Sequence, residues 1–76
     1  MTIEQFMGRM KPVEDIRYRV CVFDFMTGTL EAFECDRNAD DWEPFRRSIP
    51  GSYRKIKEIR LSSTNDDDVV VSIVVS

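Results

Sequence analysis

Asp36, Asn38 and Asp40 stand at alternate positions in the stretch CDRNADDWEPFRR, residues 35 to 47. Side-chain oxygens at that spacing could be the first three ligands of a calcium loop of the EF-hand type. The rest of such a loop does not follow. Its sixth position, which turns sharply and favours glycine, is Asp41, and its twelfth, which closes the cage with a bidentate glutamate, is Arg47. A cation at the closing position repels the ion, and the segment leading in has the character of a strand. We expect no metal here and no cofactor elsewhere in the chain.

The same acids have a simpler role at the start of a helix. Asp40 is a good N-cap, and Glu43 three residues on makes a D-x-x-E box. Pro44 falls in the first turn or at its end, and a cap at Asp41 would place it better still. Asp40, Asp41 and Glu43 suit the positive end of the helix dipole; Arg46 and Arg47 suit the negative end. Trp42, Phe45 and Ile49 follow at i, i+3 and i+7 as one apolar stripe. Pro50-Gly51 stops the run. The spacing predicts a main helix over about 40–49, with Trp42 anchoring it to a sheet.

Other chemistry is scarce. There is no histidine, so the commonest general base and the commonest metal ligand are missing together. No Ser-His or Cys-His pair, glycine-rich phosphate loop or nucleophile elbow occurs. We expect no catalytic residues. Cys21 and Cys35 are too few for a disulfide scaffold and lack a CxxC spacing. They are expected to remain thiols in a reducing, cytoplasmic setting.

The elements that would frame these residues read in the order αββαββ. Thr2 and Gln5 form a capping-box pattern, Ile3, Phe6, Met7 and Met10 recur at helical spacing, and Pro12 closes a short N-terminal helix. DIRYRVCVFDFM is strand-like, with Ile16, Tyr18, Val20 and Val22 on one face and Cys21, Phe23 and Phe25 on the other. The glycine turn MTGT returns the chain as TLEAFEC, a hairpin. A two-residue loop would set Asp24 against Glu31, an unfavourable pair. A three-residue loop ending in Gly28 avoids it, and a loop of Thr27, Gly28 and Thr29 would set Cys21 against Cys35. YRKIKEIRL is assigned to a strand because VVVSIVVS, the strongest β signal, needs a partner. SSTNDDD between them reads as turn chemistry. The expected fold is α+β: a single domain, 1–76, with a four-stranded, mainly antiparallel sheet, one main helix and a short N-terminal one.

Composition is compatible with that. The chain has 76 residues, 42% hydrophobic and 33% charged. A chain of this size buries roughly 60% of the surface its unfolded form exposes, a small core. No apolar run approaches the ~20 residues of a membrane span. The net charge of −3 argues against a general nucleic-acid binder.

Charge is unevenly spread. Residues 31–43 hold six acids and one arginine; residues 46–60 hold six of the eleven basic residues and one acid. A foldable chain with no chemistry in it points to a module that binds another protein by contact, as a regulator, inhibitor or adaptor. A phage-type inhibitor of a host defence complex falls in that class. Candidate partner-binding residues are Asp40, Asp41, Trp42, Arg46, Arg47 and Tyr53. The alternative is a nucleic-acid-binding domain using the basic strip 46–60.

Strands one and four are apolar on both faces, so both faces of the sheet need cover. A 15 Å N-terminal helix, about what ten residues reach, would leave part of the second face bare. Bare sheet or a long valine edge marks an interface. Val70, Ser72 and Val74 are therefore candidates for a homodimer or hetero-complex contact, with Asp66 to Asp68 as gatekeepers against aggregation.

Overall fold

Thr2 starts the first helix. Its hydroxyl accepts from the Gln5 N–H at 3.2 Å, and the Gln5 side chain accepts from the Thr2 N–H at 2.9 Å, closing the capping box. In the computed structural model, which describes residues 1–35, 39–65 and 67–75, this helix is α1 (Ile3–Arg9). It buries Ile3 and Met7 and ends at an extended Met10, two residues short of Pro12.

Strands β1 (Arg17–Asp24) and β2 (Thr29–Cys35) form the expected hairpin, but none of the three registers weighed for it occurs. Asp24 pairs with Thr29 and Phe23 with Leu30, so residues 25–28 form a four-residue loop. The cause is local. The Asp24 carboxylate accepts from the Met26 and Thr27 N–H groups, and the Gly28 N–H donates to the Asp24 carbonyl at 2.8 Å. Gly28 takes a positive φ of 69° that few other residues tolerate. This closes the turn at Asp24 and sets Cys21 against Ala32, not against Cys35. The like-charge pair Asp24/Glu31 is still avoided.

The second helix takes the later of the two caps weighed, Asp41 rather than Asp40. A 3₁₀ turn over Ala39–Asp41 leads into α2 (Trp42–Ser48), whose N-cap is Asp41, without a side-chain capping bond. The Asp40 box does not form, because Glu43 instead pairs with Arg46 at 2.8 Å. The apolar stripe is as expected: Trp42 and Ile49 are buried and Phe45 is half-buried.

Strands β3 (Ile56–Asn65) and β4 (Asp68–Val75) complete the sheet. Most of SSTN is strand rather than turn: Ser62 and Ser63 pair with Val70 and Val69, and the Ser63 hydroxyl donates to the Asp68 carbonyl at 3.1 Å. Asp66 lies outside the described residues. The strand order is β2-β1-β4-β3. The two outer pairs are antiparallel and the central pair, β1 with β4, is parallel. The valine-rich β4 is thus a central strand, and the expected valine edge does not exist.

Both helices lie on one side of this sheet. Tyr18, Val20, Val22, Val71, Ile73 and Val75 point inward to meet Ile3, Met7, Trp42 and Ile49 in one buried cluster. The expectation that α1 would cover the second face is wrong. The first residues of the chain tie α1 to the segment after α2: Ile3 and Glu4 donate to the carbonyls of Arg54 and Ser52, and Ile56 donates to Met1. Trp42 then ties the layers together. Its indole N–H reaches the Met7 carbonyl at 3.4 Å, Tyr18 packs edge-on at 5.4 Å, and Phe45 lies at 5.6 Å. Trp42→Ala should therefore cost about 3 kcal/mol, or unfold the chain outright. Urea denaturation checks this, and a loss under about 1 kcal/mol would contradict the anchor role.

Candidate functional site

Strand alternation sends every second side chain of the sheet away from the helices. Register places those side chains in three transverse rows. Leu30, Phe23, Val74 and Glu58 form the first; Ala32, Cys21, Ser72 and Arg60 the second; Glu34, Arg19, Val70 and Ser62 the third. The first row is large and apolar toward β2. The second is small at its centre. The third is polar at its two ends.

No helix covers these rows among the described residues. Phe25 and Met26, in the hairpin turn beside the first row, are 63% and 78% exposed, and Leu30 is 68% exposed. Phe25 packs edge-on against Phe23 at 6.2 Å, and the Lys57 ammonium stands 5.0 Å above the Phe25 ring. Phe23, Phe25, Lys57, Glu58 and Val74 line a shallow groove. The charges around this face are paired. Arg19 donates to Glu34 at 2.8 Å and Arg60 to Glu58 at 2.9 Å. The Glu34 carboxylate raises the Arg19 pKa, by hydrogen bonding first and charge second.

The residues singled out in the sequence fall into three groups. Val70, Ser72 and Val74 lie together on this open face, as the alternation of β4 implied. Trp42 does not belong to any partner surface: at 3% exposure its ring is part of the core. Asp40 and Asp41 are exposed in the 3₁₀ turn, Arg47 is exposed on α2, and Tyr53 is 78% exposed in the turn after Gly51. These four sit on the helix side of the fold and do not join the open sheet face. Asp36 and Asn38 lie outside the described residues.

The basic strip is divided as well. Arg46 is mostly covered and pairs with Glu43, while its guanidinium lies over Gly8 of α1. Arg54 points into the fold, donating to the carbonyls of Gly51 and Pro50 and to Asp24 at 3.3 Å. Gly51 is required there: its φ is 67°, and a Cβ would come 2.6 Å from the Arg54 Nε. Lys57 and Arg60 belong to the open face. The strip is contiguous in sequence but split between the helix layer, a turn and the opposite side of the sheet.

Cys21 faces outward and Cys35 inward, on different rungs, so no bond can join them through the sheet. The two-residue loop weighed for the hairpin already puts Leu30 and Ala32 on the Phe23 face, opposite Phe25 and Phe23. The observed register keeps that face and sets them opposite Phe23 and Cys21. Comparison of the chain with protein-family models, curated proteins and solved structures gives no match. No helix among the described residues is long and apolar enough to cross a membrane.

One titration follows from the α2 geometry. Hydrogen bonding to Arg46 holds the Glu43 carboxyl below its ordinary value of 4.5. A depressed folded-state pKa contributes stability above the unfolded value and loses it as pH falls through the folded one. Glu43→Gln should lower stability slightly in the neutral region, where the ionised pair contributes, and so flatten the acid limb of the stability curve below about pH 4.5. Thermal melts from pH 7 to pH 3 check this; an unchanged acid limb would remove Glu43 from the account.

Proposed function

We propose that this chain is a small protein-binding module without catalysis of its own, acting by contact as a regulator, inhibitor or adaptor. One observation carries the reading: the sheet face opposite the helices presents Phe23, Phe25, Leu30 and Val74 to solvent. Exposed apolar side chains grouped on one surface are what partner sites are made of. Aromatic residues beside a paired, polar margin match the composition of interface centres and rims.

Size bears on the kind of complex. From strand spacing and rise, the face projects roughly 400 Å². A standard interface buries about 800 Å² per partner. The hairpin turn, with Phe25 and Met26, extends the face toward that figure. The contact is read as a homodimer or a hetero-complex centred on the first row. Two thiols on opposite sides of the sheet suit a reducing compartment, and a cytoplasmic location is part of the reading.

Val74→Lys tests it. Val74 is half-buried and faces away from the helices, so the long lysine stem can reach solvent without entering the core. The variant should melt close to the parent. It should also lose self-association in sedimentation equilibrium, or capture of a partner from the native host. A parent that stays monomeric at high micromolar concentration and captures nothing would overturn the reading. Duplex DNA, RNA and single strands are the control. Tight binding that falls steeply with salt would replace it with one built on residues 46–60.

A further inference from the structure

The two edges of the sheet are not alike. The β3 edge is guarded in three ways. Met1 and Thr2 pair with its start, where the Ile56 N–H donates to the Met1 carbonyl at 2.8 Å. Its ladder shifts register twice, at 57 and 64. Lys55, Lys57 and Arg60 stand along it. Bulges, covering segments and lysines are the devices that keep an edge from pairing with other chains.

The β2 edge has none of them. Thr29–Cys35 pairs with β1 over seven consecutive rungs without a register shift. The strand holds no proline, glycine, lysine or arginine. Among the described residues no segment pairs with its far side. Alternate N–H and C=O groups along seven residues are therefore presented outward in regular extended geometry. On the open sheet face the edge offers Leu30 and Ala32; on the other it offers Glu31 and the half-buried Phe33.

Charge selects the occupant. The strand's own formal charges, Glu31 and Glu34, are both acidic; Glu34 is engaged by Arg19, and Glu31 is exposed. Two copies joined through this edge would bring these acids together, a destabilising arrangement. We infer that β2 takes up an extended, lysine- or arginine-bearing segment of a partner protein by strand addition. Main-chain hydrogen bonds hold the added strand. Its apolar side chains lie beside Leu30 and Ala32, and its cations meet Glu31. The inference rests on strand topology and charge; it does not depend on contact across the open face.

The probe is a nine-residue peptide of alternating valine and lysine, capped at both ends. Its controls are the same peptide with glutamate for lysine and the lysine peptide N-methylated along its backbone. Amide hydrogen exchange of the intact chain is the readout. The lysine peptide should slow exchange in 29–35 and leave 57–63 unchanged, and both controls should do neither. Replacing Glu31, which is exposed on β2, with lysine should weaken the binding several-fold and leave the melt close to the parent's. Three results would overturn the inference. One is protection at β3 or nowhere. Another is equal binding by the N-methylated peptide. The third is slowing in 29–35 that rises with protein concentration alone, which would assign the edge to a second copy.

Discussion

Everything in this fold follows from where Trp42 puts its ring. The indole sits between the C-terminal end of α1 and the sheet, bonded to the Met7 carbonyl and packed on Tyr18 and Phe45. Each helix has only seven residues, about 10 Å of length. Neither could shield a sheet face alone. Holding them side by side gives one face a full cover, including Ile3, Met7 and Ile49. The same arrangement leaves the other face with no helix among the described residues. The stability of one side and the availability of the other are thus a single consequence.

Asp24 and Arg54 close the far end of the layer. Asp24 lies at the last rung of β1, where one carboxylate oxygen shapes the hairpin turn and the other receives Arg54. Arg54 in turn holds the Pro50-Gly51 corner through which α2 reaches β3. Both side chains are largely covered, at 17% and 23% exposure, so this pair is better shielded than the surface pairs Arg19–Glu34 and Arg60–Glu58. It fixes the hairpin turn that carries Phe25 to the margin of the open face. The turn after α2 and the presentation of Phe25 are coupled by these two residues.

Much of the fold was legible because it rests on local chemistry. The Thr2/Gln5 box, the Trp42-Phe45-Ile49 stripe and the two-faced apolar pattern of β1 and β4 each follow from spacing. The hairpin register was not legible, since Asp24 side-chain bonds inside the turn set it and several loop lengths were sterically open. The side of the sheet taken by α1 was not legible either. It depends on Met1 to Glu4 pairing with residues 52 to 56, a contact between distant segments. Val70, Ser72 and Val74 could be placed on an open face from alternation alone. Leu30 and Ala32 fell on that face in the two-residue register and on the other in the three-residue ones, since a shift of one residue flips every side chain. The basic strip misled for a related reason: adjacency in sequence ignored the turn at Pro50-Gly51 and the ion pairs that divide it.

The central claim is that one face of the sheet is covered by both helices and the other is open for contact. Solvent paramagnetic relaxation, measured on the methyl groups with a soluble gadolinium chelate in dilute protein, tests it directly. The account predicts strong broadening of Leu30, Val70 and Val74 and protection of Val20, Val71 and Ile73. Equal protection of both sets in dilute protein would contradict it, since a helix would then cover the face on which the proposed contact depends.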